Sequence, residues 1–289
     1  MRIVGDGSCR DREKGKEAIR TAIAQGYTQF DHADIYADGE CEKLFGEILH
    51  EILCDDPSMR EKIILTSKCG IRQANSLHSF NPKYYDFSTD YLMKSIEGSL
   101  MRLGVEYLDL FLLHRPDYLA DMQEVGKVFA MLRDQGKVKY FGVSNFSASQ
   151  VNLLQSYVAE PLLVNQIEIN IHNVDALTNG TLDQCQQLQI TPQAWCPMGG
   201  AVYPAWGNTF SLDDERRIAV EFLRQANKYN VENWVIALAW LLKHPANICP
   251  IVGSTSAERI MMAKQALSLD YTKEDWYALL EARNGVAVS

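Results

Sequence analysis

Short apolar runs alternate with amphipathic segments along the whole chain, and this alternation predicts the secondary structure. Runs rich in apolar or β-branched residues predict strands over residues 1–5, 27–32, 62–68, 107–113, 138–143, 162–169, 190–195 and 248–252. Apolar residues at helical spacing predict helices beginning near residues 11, 39, 89, 121, 147, 181, 213, 231 and 255. Two capping boxes, Ser147–Gln150 and Thr255–Glu258, mark the starts of two of these helices.

Eight predicted strands separated by helices indicate a parallel sheet with helical crossovers. Closure of such a sheet gives a (β/α)8 (TIM) barrel, and no linker, repeat or low-complexity segment divides residues 1–289. A doubly wound nucleotide-binding fold would need a Gly-x-Gly-x-x-Gly turn after an early strand, and the sequence has none. We therefore expect one α/β barrel domain.

The composition and net charge of the chain indicate which class of ligand or partner it binds. The 289 residues are 47% hydrophobic, which suffices for a large core, and the formal charge of -9 comes without a block of Lys or Arg. Nucleic acids and anionic membranes both require a basic face, so a small-molecule ligand is the expectation. The seven cysteines and six histidines show no metal-ligand spacing. No transmembrane stretch or signal-peptide h-region is evident, and we expect a cytoplasmic protein that holds no metal.

Polar residues follow three of the predicted strands at the point where each strand ends. Asp31 lies near the end of the second predicted strand, and Tyr36 follows five residues later in the segment Phe30–Tyr36. Lys68 ends the third strand, and His114 directly follows the fourth. The active face of a (β/α)8 barrel is built from the carboxyl ends of its strands, so these side chains should share one cleft.

The four residue types suit proton transfer. A tyrosine has an unperturbed pKa near 10, so a tyrosine that acts as a general acid near neutral pH needs a nearby cation. We expect Asp31 to hold Lys68 in its charged form, Lys68 to acidify Tyr36, and Tyr36 to protonate a developing alkoxide. His114 could orient the carbonyl group or share the proton.

Several motifs in the same order give the chain a family resemblance. It resembles the aldo-keto reductases, and within them the bacterial oxidoreductases that carry the Asp-His-Ala-Asp-Ile-Tyr and His-Arg-Pro-Asp signatures. The matching segments are 30–36, 67–70, 113–117, 141–146, 165–166, 194–200 and 251–254. The resemblance implies an NADPH-dependent reductase of aldehydes or ketones in which Tyr36 is the general acid and Asp31, Lys68 and His114 are its partners.

The resemblance also implies a binding site for the cofactor. Ser144, Asn145 and Gln166 would hold the nicotinamide carboxamide, which needs both donors and acceptors. Trp195 occupies the position where the family stacks an aromatic ring on the nicotinamide.

Other residues are candidates for binding the phosphate groups of the cofactor. The loop through Gly199 and Gly200 would cover the pyrophosphate, since glycine lets backbone amides approach oxygen atoms closely. Gly253 and Ser254 precede a helix N-terminus, which favours an anion. Arg259 matches the family arginine that contacts the adenosine 2′-phosphate, which favours NADP, with NADH as the alternative cofactor.

The chain departs from the family pattern at two places. Met262 and Ala263 stand where many members have a Glu-Asn pair for the adenine, and Thr255 stands where a basic residue is common. The sequence also begins at the expected first barrel strand, so the N-terminal β-hairpin of the family is expected to be absent.

Two other functions use the same residues. Lys68 could act as the nucleophile of a Schiff-base lyase, since lysines at strand ends serve that chemistry. The chain could instead be a nucleotide-binding subunit that senses redox state. The physiological substrate and the oligomeric state are not fixed by the sequence.

Overall fold

The computed structural model describes residues 3–74, 82–199 and 210–288. The chain forms two compact units, the first from Met1–Asn165 and Gly253–Ile260, and the second from Gln166–Val252 and Met261–Ser289. The expectation of a single domain over residues 1–289 stays a prediction.

Strands and helices alternate as the sequence predicts. Within the described ranges, the strands are β1 (Gln29–Asp31), β2 (Ile64–Cys69), β3 (Ile71–Arg72), β4 (Tyr84–Tyr85), β5 (Leu108–Leu113), β6 (Val138–Ser144), β7 (Val164–Glu168), β8 (Thr191–Trp195) and β9 (Cys249–Pro250). The helices are α1 (Cys9–Ala24), α2 (Glu40–Asp55), α3 (Met59–Lys62), α4 (Thr89–Leu103), α5 (Met122–Asp134), α6 (Ala148–Gln155), α7 (Thr181–Leu188), α8 (Leu212–Tyr229), α9 (Asn233–Leu242), α10 (Ala257–Ala263) and α11 (Lys273–Asn284). None of them is long and apolar enough to cross a membrane.

A parallel sheet aligns the strand ends of the first unit. Its strands lie in the order β1-β2-β5-β6, and β8 pairs with β9 in the second unit. Asp31 lies opposite Thr66, and Cys69 lies opposite Leu113. Because these pairings are parallel and in register, the carboxyl ends of β1, β2 and β5 lie at the same edge of the sheet.

Helix boundaries follow local chemistry. Helix α4 begins at Thr89, where the sequence predicts a helix start, and ends at Leu103. Its cap is Gly104, whose φ of 67° is a left-handed conformation that glycine adopts without steric cost. The capping box of α6 is confirmed, since the side chains of Ser147 and Gln150 each accept from the other's backbone N–H. Side-chain caps of this kind satisfy donors that the first helical turn leaves unpaired.

A carboxylate near the start of β5 binds several groups at the amino-terminal edge of the sheet, opposite the edge formed by the carboxyl ends of the strands. Asp109 accepts from Arg60 at 2.8 Å, from Lys139 at 3.2 Å and from the buried backbone N–H of Leu65 at 3.0 Å. Both cations lie 3.9 Å from the ring centroid of Tyr107. These contacts join neighbouring strands, which is a structural role.

The second unit has its own apolar core around α9 and α11. Trp240 and Trp276 stack with their ring centroids 5.0 Å apart. Each indole N–H donates to the other residue's backbone carbonyl oxygen, at 3.1 and 3.0 Å. Both polar atoms of this aromatic pair are therefore satisfied within the core, as burial of an indole requires.

A second buried carboxylate ties α11 to α8. Asp275 accepts from Lys228 and Tyr229 at 2.5 Å, from Arg224 at 2.7 Å and from Thr272 at 3.0 Å. Burial alone would raise the pKa of Asp275, but these four donors outweigh burial and lower it. The carboxylate form is therefore the one that the folded chain stabilises.

Replacing Asp275 with alanine should lower the free energy of unfolding by about 3 kcal/mol at neutral pH, because a buried charge network loses its acceptor. The folded pKa of Asp275 lies below its unfolded value, so this contribution is complete above the unfolded value and is lost as pH falls below it. The difference between wild type and the variant should therefore shrink below about pH 4.

Urea denaturation at neutral pH and in acid measures both effects. Asp270→Ala, which removes an exposed carboxylate of the same unit, is the control and should change little. A difference between wild type and Asp275→Ala that stays constant with pH would contradict the pKa argument.

Three sequence predictions differ from the structure. Residues 3–5 of the expected first strand form a turn instead, because Gly5 and Gly7 have φ of 55° and 83° and Gly7 donates to the carbonyl of Val4. After Gly70 the predicted strands leave out β3 and β4, which pair as an antiparallel ladder. These differences arise from backbone pairing that hydrophobic periodicity does not report.

The second capping box is also wrong. Helix α10 begins at Ala257, so its cap is Ser256 in place of Thr255. The Ser256 hydroxyl accepts from the backbone N–H of Arg259 at 3.4 Å. Two hydroxyl residues stand side by side here, and the spacing rule alone does not choose between them.

Candidate active site

The turn after β1 presents Tyr36. The N–H of Asp34 donates to the carbonyl oxygen of Lys68 at 3.0 Å, and the N–H of Tyr36 donates to that of Ala33 at 3.1 Å. Ala37 and Asp38 then adopt left-handed φ values of 49° and 52°. Such a conformation costs a non-glycine residue about 1–2 kcal/mol, and residues held this way cluster at functional sites.

A buried ion pair lies beside this turn. The ammonium of Lys68 is 2.5 Å from a carboxylate oxygen of Asp31, and the Lys68 side chain is fully buried. Burial would lower the pKa of Lys68, but the Asp31 carboxylate and the Tyr36 phenol outweigh it and raise that pKa. Lys68 is therefore an ammonium at neutral pH. A Schiff-base nucleophile must be a neutral amine, so this charge state disfavours the lyase hypothesis.

Tyr36 lies between the cation and the histidine. The Lys68 nitrogen is 5.1 Å from the centroid of the Tyr36 ring, and a hydrogen bond with Tyr36 contributes to the raised pKa of Lys68. The rings of Tyr36 and His114 meet edge to face, with centroids 5.8 Å apart. The structure thus brings together all four residues that the strand-end pattern identified.

His114 is neutral in this setting. Burial first, and the Lys68 ammonium second, lower the pKa of His114 well below its ordinary value. Its backbone N–H donates to the carbonyl oxygen of Cys69 at 2.8 Å, which fixes the residue beside the end of β2. Its Nδ1 atom is buried and has no hydrogen-bond partner among the described residues. A neutral imidazole can donate one hydrogen bond and accept another.

The two candidates at the carboxyl end of β6, Ser144 and Asn145, lie next to His114. Asn145 has a left-handed φ of 61°, and its Nδ2 donates to Ser144 Oγ at 2.7 Å and to the carbonyl oxygen of His114 at 3.5 Å. Asn165, which was not singled out as a site residue, is fully buried and donates to the carbonyl oxygen of Phe146 at 2.9 Å. Asn165 therefore fixes the turn that carries Ser144 and Asn145.

Four cofactor candidates fall within the residue ranges of the second unit. Gln166 is buried and donates to Gln193 Oε1 at 3.0 Å, and Trp195 is the last residue of β8. Gly199 has φ of 62°, and a Cβ atom there would lie 2.4 Å from His172 Nδ1. Only glycine fits at this position, whereas Gly200 lies outside the described residues.

Asn170 was not anticipated from the sequence. Its Nδ2 donates to the carbonyl oxygen of Cys196 at 3.0 Å, and its Oδ1 accepts from the N–H groups of His172 and Asn173 at 2.9 Å. This side chain therefore holds the start of the segment that leads to Gly199. A buried asparagine just after a strand was the available signal.

The remaining candidates surround the start of α10 and belong to the first unit. Ser254 Oγ accepts from the N–H of Ser256 at 3.1 Å, and Arg259 is exposed. Tyr27 donates to the carbonyl oxygen of Ile260 at 2.9 Å, which joins this segment to the start of the chain. A Cβ atom at Gly253 would meet open space, so sterics alone do not require glycine there.

Comparison with known proteins places the chain in a family. A family model described as the aldo/keto reductase family matches residues 2–284. The chain is 39% identical to the oxidoreductase YdhF of Escherichia coli over 280 residues, which are 93% of this chain and 87% of that protein. It is 35% identical to a 6-dehydroglucose reductase of Agrobacterium fabrum over 289 residues, which are 99% of this chain and 93% of that protein.

Solved structures agree with this assignment. The thermostable aldo-keto reductase Tm1743 superimposes with a TM-score of 0.77 at 27% identity, over 95% of this chain and 89% of that one. An aldo-keto reductase of Bombyx mori in complex with NADP gives 0.74 at 26% identity, over 94% and 84%. The (β/α)8 fold class and the resemblance inferred from the sequence are confirmed. The chain is a member of the aldo/keto reductase family.

Proposed function

We propose that this protein reduces the carbonyl group of an aldehyde or ketone to an alcohol with NADPH, and that Tyr36 is the general acid. One observation carries the proposal: the Tyr36 phenol lies beside the ammonium of Lys68 and the neutral ring of His114 at the carboxyl ends of adjacent strands. Proton donors at this edge are what carbonyl reduction in a (β/α)8 enzyme requires.

The chain's own residues move one proton. NADPH, when bound, supplies the hydride that reduces the carbonyl carbon. Tyr36 gives its phenolic proton to the carbonyl oxygen, and Lys68 stabilises the phenolate that remains. Asp31 keeps Lys68 charged at 2.5 Å. His114, which is neutral, hydrogen-bonds the carbonyl oxygen and holds it towards the phenol.

The residues that would hold the cofactor have suitable chemistry. Ser144, Asn145 and Gln166 supply hydroxyl and amide groups for a carboxamide, and Trp195 supplies an aromatic face. A Cβ atom at Gly199 would clash with His172, so this position has to be glycine, whose backbone carries no side chain that could crowd a phosphate. Gly200 follows Gly199 directly in the sequence. Gly253 and Ser254, which precede α10, add backbone and hydroxyl donors.

Arg259→Ala should weaken NADPH binding about 10-fold or more, because a charge-assisted hydrogen bond to phosphate contributes about 1.5–3 kcal/mol. NADH lacks the 2′-phosphate, so its binding should change little. Fluorescence titration of both cofactors gives the two dissociation constants. The exposed Arg20 is the control position, since Arg20 pairs with Glu51 on the helices α1 and α2. An equal loss for NADPH and NADH would remove Arg259 from this role.

A panel of carbonyl substrates tests the proposed activity directly. Relatives at 35% and 39% identity are named 6-dehydroglucose reductases, so the panel includes that compound beside simple aldehydes, ketones and other oxidised sugars. We expect NADPH consumption that depends on the carbonyl compound and exceeds NADH consumption. A panel without turnover on either cofactor would contradict the proposal. A cytoplasmic location and the absence of a nucleic-acid partner belong to the same proposal.

A further inference from the structure

Asp34 lies in the turn after β1 that presents Tyr36. The proposed proton transfer gives this polar residue no role. Its Oδ2 atom accepts from the hydroxyl of Ser95 at 2.6 Å and from that of Tyr91 at 3.1 Å. Its Oδ1 atom is buried and has no hydrogen-bond partner among the described residues. A buried carboxylate is costly unless its contacts return a benefit.

Both hydroxyl donors come from one face of α4. Tyr91 and Ser95 are four residues apart, so their side chains lie one above the other. The Tyr91 hydroxyl is also 3.2 Å from the carbonyl oxygen of Ile71, and its single proton is shared between two acceptors. The Arg72 guanidinium lies 4.7 Å from the Tyr91 ring centroid. Asp34 is thereby connected to α4 and, through Tyr91, to β3.

The turn needs an anchor of this kind. Ala37, Asp38 and Gly39 follow Tyr36 in left-handed conformations, with φ of 49°, 52° and 89°. Ala37 and Asp38 are not glycines, and non-glycine residues persist in such conformations only where the surrounding structure holds them. The backbone N–H of Asp34 bonds Lys68, and its side chain bonds α4, so one residue fixes the turn to two elements.

We propose that Asp34 is a positioning residue for the reaction: its bonds to Ser95 and Tyr91 hold the 31–36 turn so that Tyr36 meets Lys68 and His114. Asp34 acts through the turn and does not touch substrate. This role rests on the proposed function, because positioning matters only if Tyr36 transfers a proton. Errors of about 1 Å in such a geometry cost about 100-fold in rate.

Two substitutions of Asp34 test whether its hydrogen-bond acceptor is what the reaction needs. Asp34→Ala removes both acceptor contacts and should lower kcat about 100-fold while the NADPH dissociation constant changes less than about two-fold. Asp34→Asn keeps an oxygen that accepts from Ser95 and Tyr91, so it should restore kcat to within about five-fold of wild type. Ser95→Ala, which removes the shorter bond alone, should fall between the two.

Asp109→Asn is the matched control. Asp109 is also a buried, hydrogen-bonded carboxylate of the first unit, but it lies at the opposite end of β5 from His114. Its replacement should lower stability without lowering kcat. Equal losses of kcat in Asp109→Asn and Asp34→Ala would mean that instability explains both, and that result would overturn the proposal.

Hydrogen exchange supplies a measurement that needs no substrate. Peptides that cover residues 31–39 should exchange at least about 10-fold faster in Asp34→Ala than in wild type, and no faster in Asp109→Asn. Unchanged exchange in Asp34→Ala would overturn the positioning role even if kcat fell. Wild-type protein without carbonyl reductase activity would contradict the proposed function, and the exchange result would still decide whether Asp34 holds the turn.

Discussion

Replacing Tyr36 with phenylalanine will lower kcat for carbonyl reduction about 1,000-fold, because a general acid contributes about 100- to 10,000-fold to the rate. The change removes one oxygen atom. The ring that faces Lys68 and His114 remains, so the shape of the site should be kept. NADPH binding should therefore stay within about two-fold of wild type. Steady-state kinetics and cofactor fluorescence measure the two quantities on the same protein sample.

Tyr140→Phe is the control for the loss of a phenol. Tyr140 lies on β6 and is half exposed, so the variant should keep wild-type activity. If Tyr36→Phe kept most of its activity, Tyr36 would not be the proton donor, and the proposed mechanism would be wrong. If both kcat and NADPH binding collapsed, a damaged fold would be the explanation, and circular dichroism would show it.

Replacing Lys68 with methionine will lower kcat about 100- to 10,000-fold and will also destabilise the protein by about 3 kcal/mol. Methionine keeps the apolar stem but removes the charge that stabilises the phenolate of Tyr36. The carboxylate of Asp31 loses its 2.5 Å ion pair, and breaking a buried pair at one end is costly. Urea denaturation and single-turnover rates measure the two effects separately.

Lys62→Met is the matched control, because Lys62 is an exposed lysine at the end of α3. The double variant Tyr36→Phe with Lys68→Met adds a sharper test. Residues that act as one unit lose rate non-additively, so the double variant should be little slower than the slower single variant. Losses that multiply would show that Lys68 and Tyr36 act independently, against the proposed relay.

Much of the candidate site could be predicted because strand ends are marked in the sequence. An apolar run that stops at Lys68 or His114 places that residue at the edge of a parallel sheet. Parallel pairing then brings the ends of neighbouring strands to the same edge. Contacts that depend on the exact path of a turn were out of reach. Asp34 is one example, because its partners Ser95 and Tyr91 are about sixty residues away and lie on a helix.

The fold was predicted less well at the ends of the chain. Ile3 and Val4 are buried as a strand would be, but Gly5 and Gly7 turn the backbone before a ladder can form. Helix α11 was not anticipated, because its attachment to α8 depends on Asp275 and its donors more than on a continuous apolar face. Periodicity reports which residues are buried, whereas hydrogen bonding decides the element they form.

All five tryptophans lie in the residue ranges of the second unit, including the stacked pair Trp240 and Trp276. Intrinsic tryptophan emission therefore reports the unfolding of the second unit. It gives no direct signal from the first unit, which holds Tyr36, Lys68 and His114. A single emission curve would give one unfolding midpoint without a signal from the residues that we propose transfer the proton. Tyrosine absorbance or peptide-level exchange must accompany it before any loss of activity is attributed to melting.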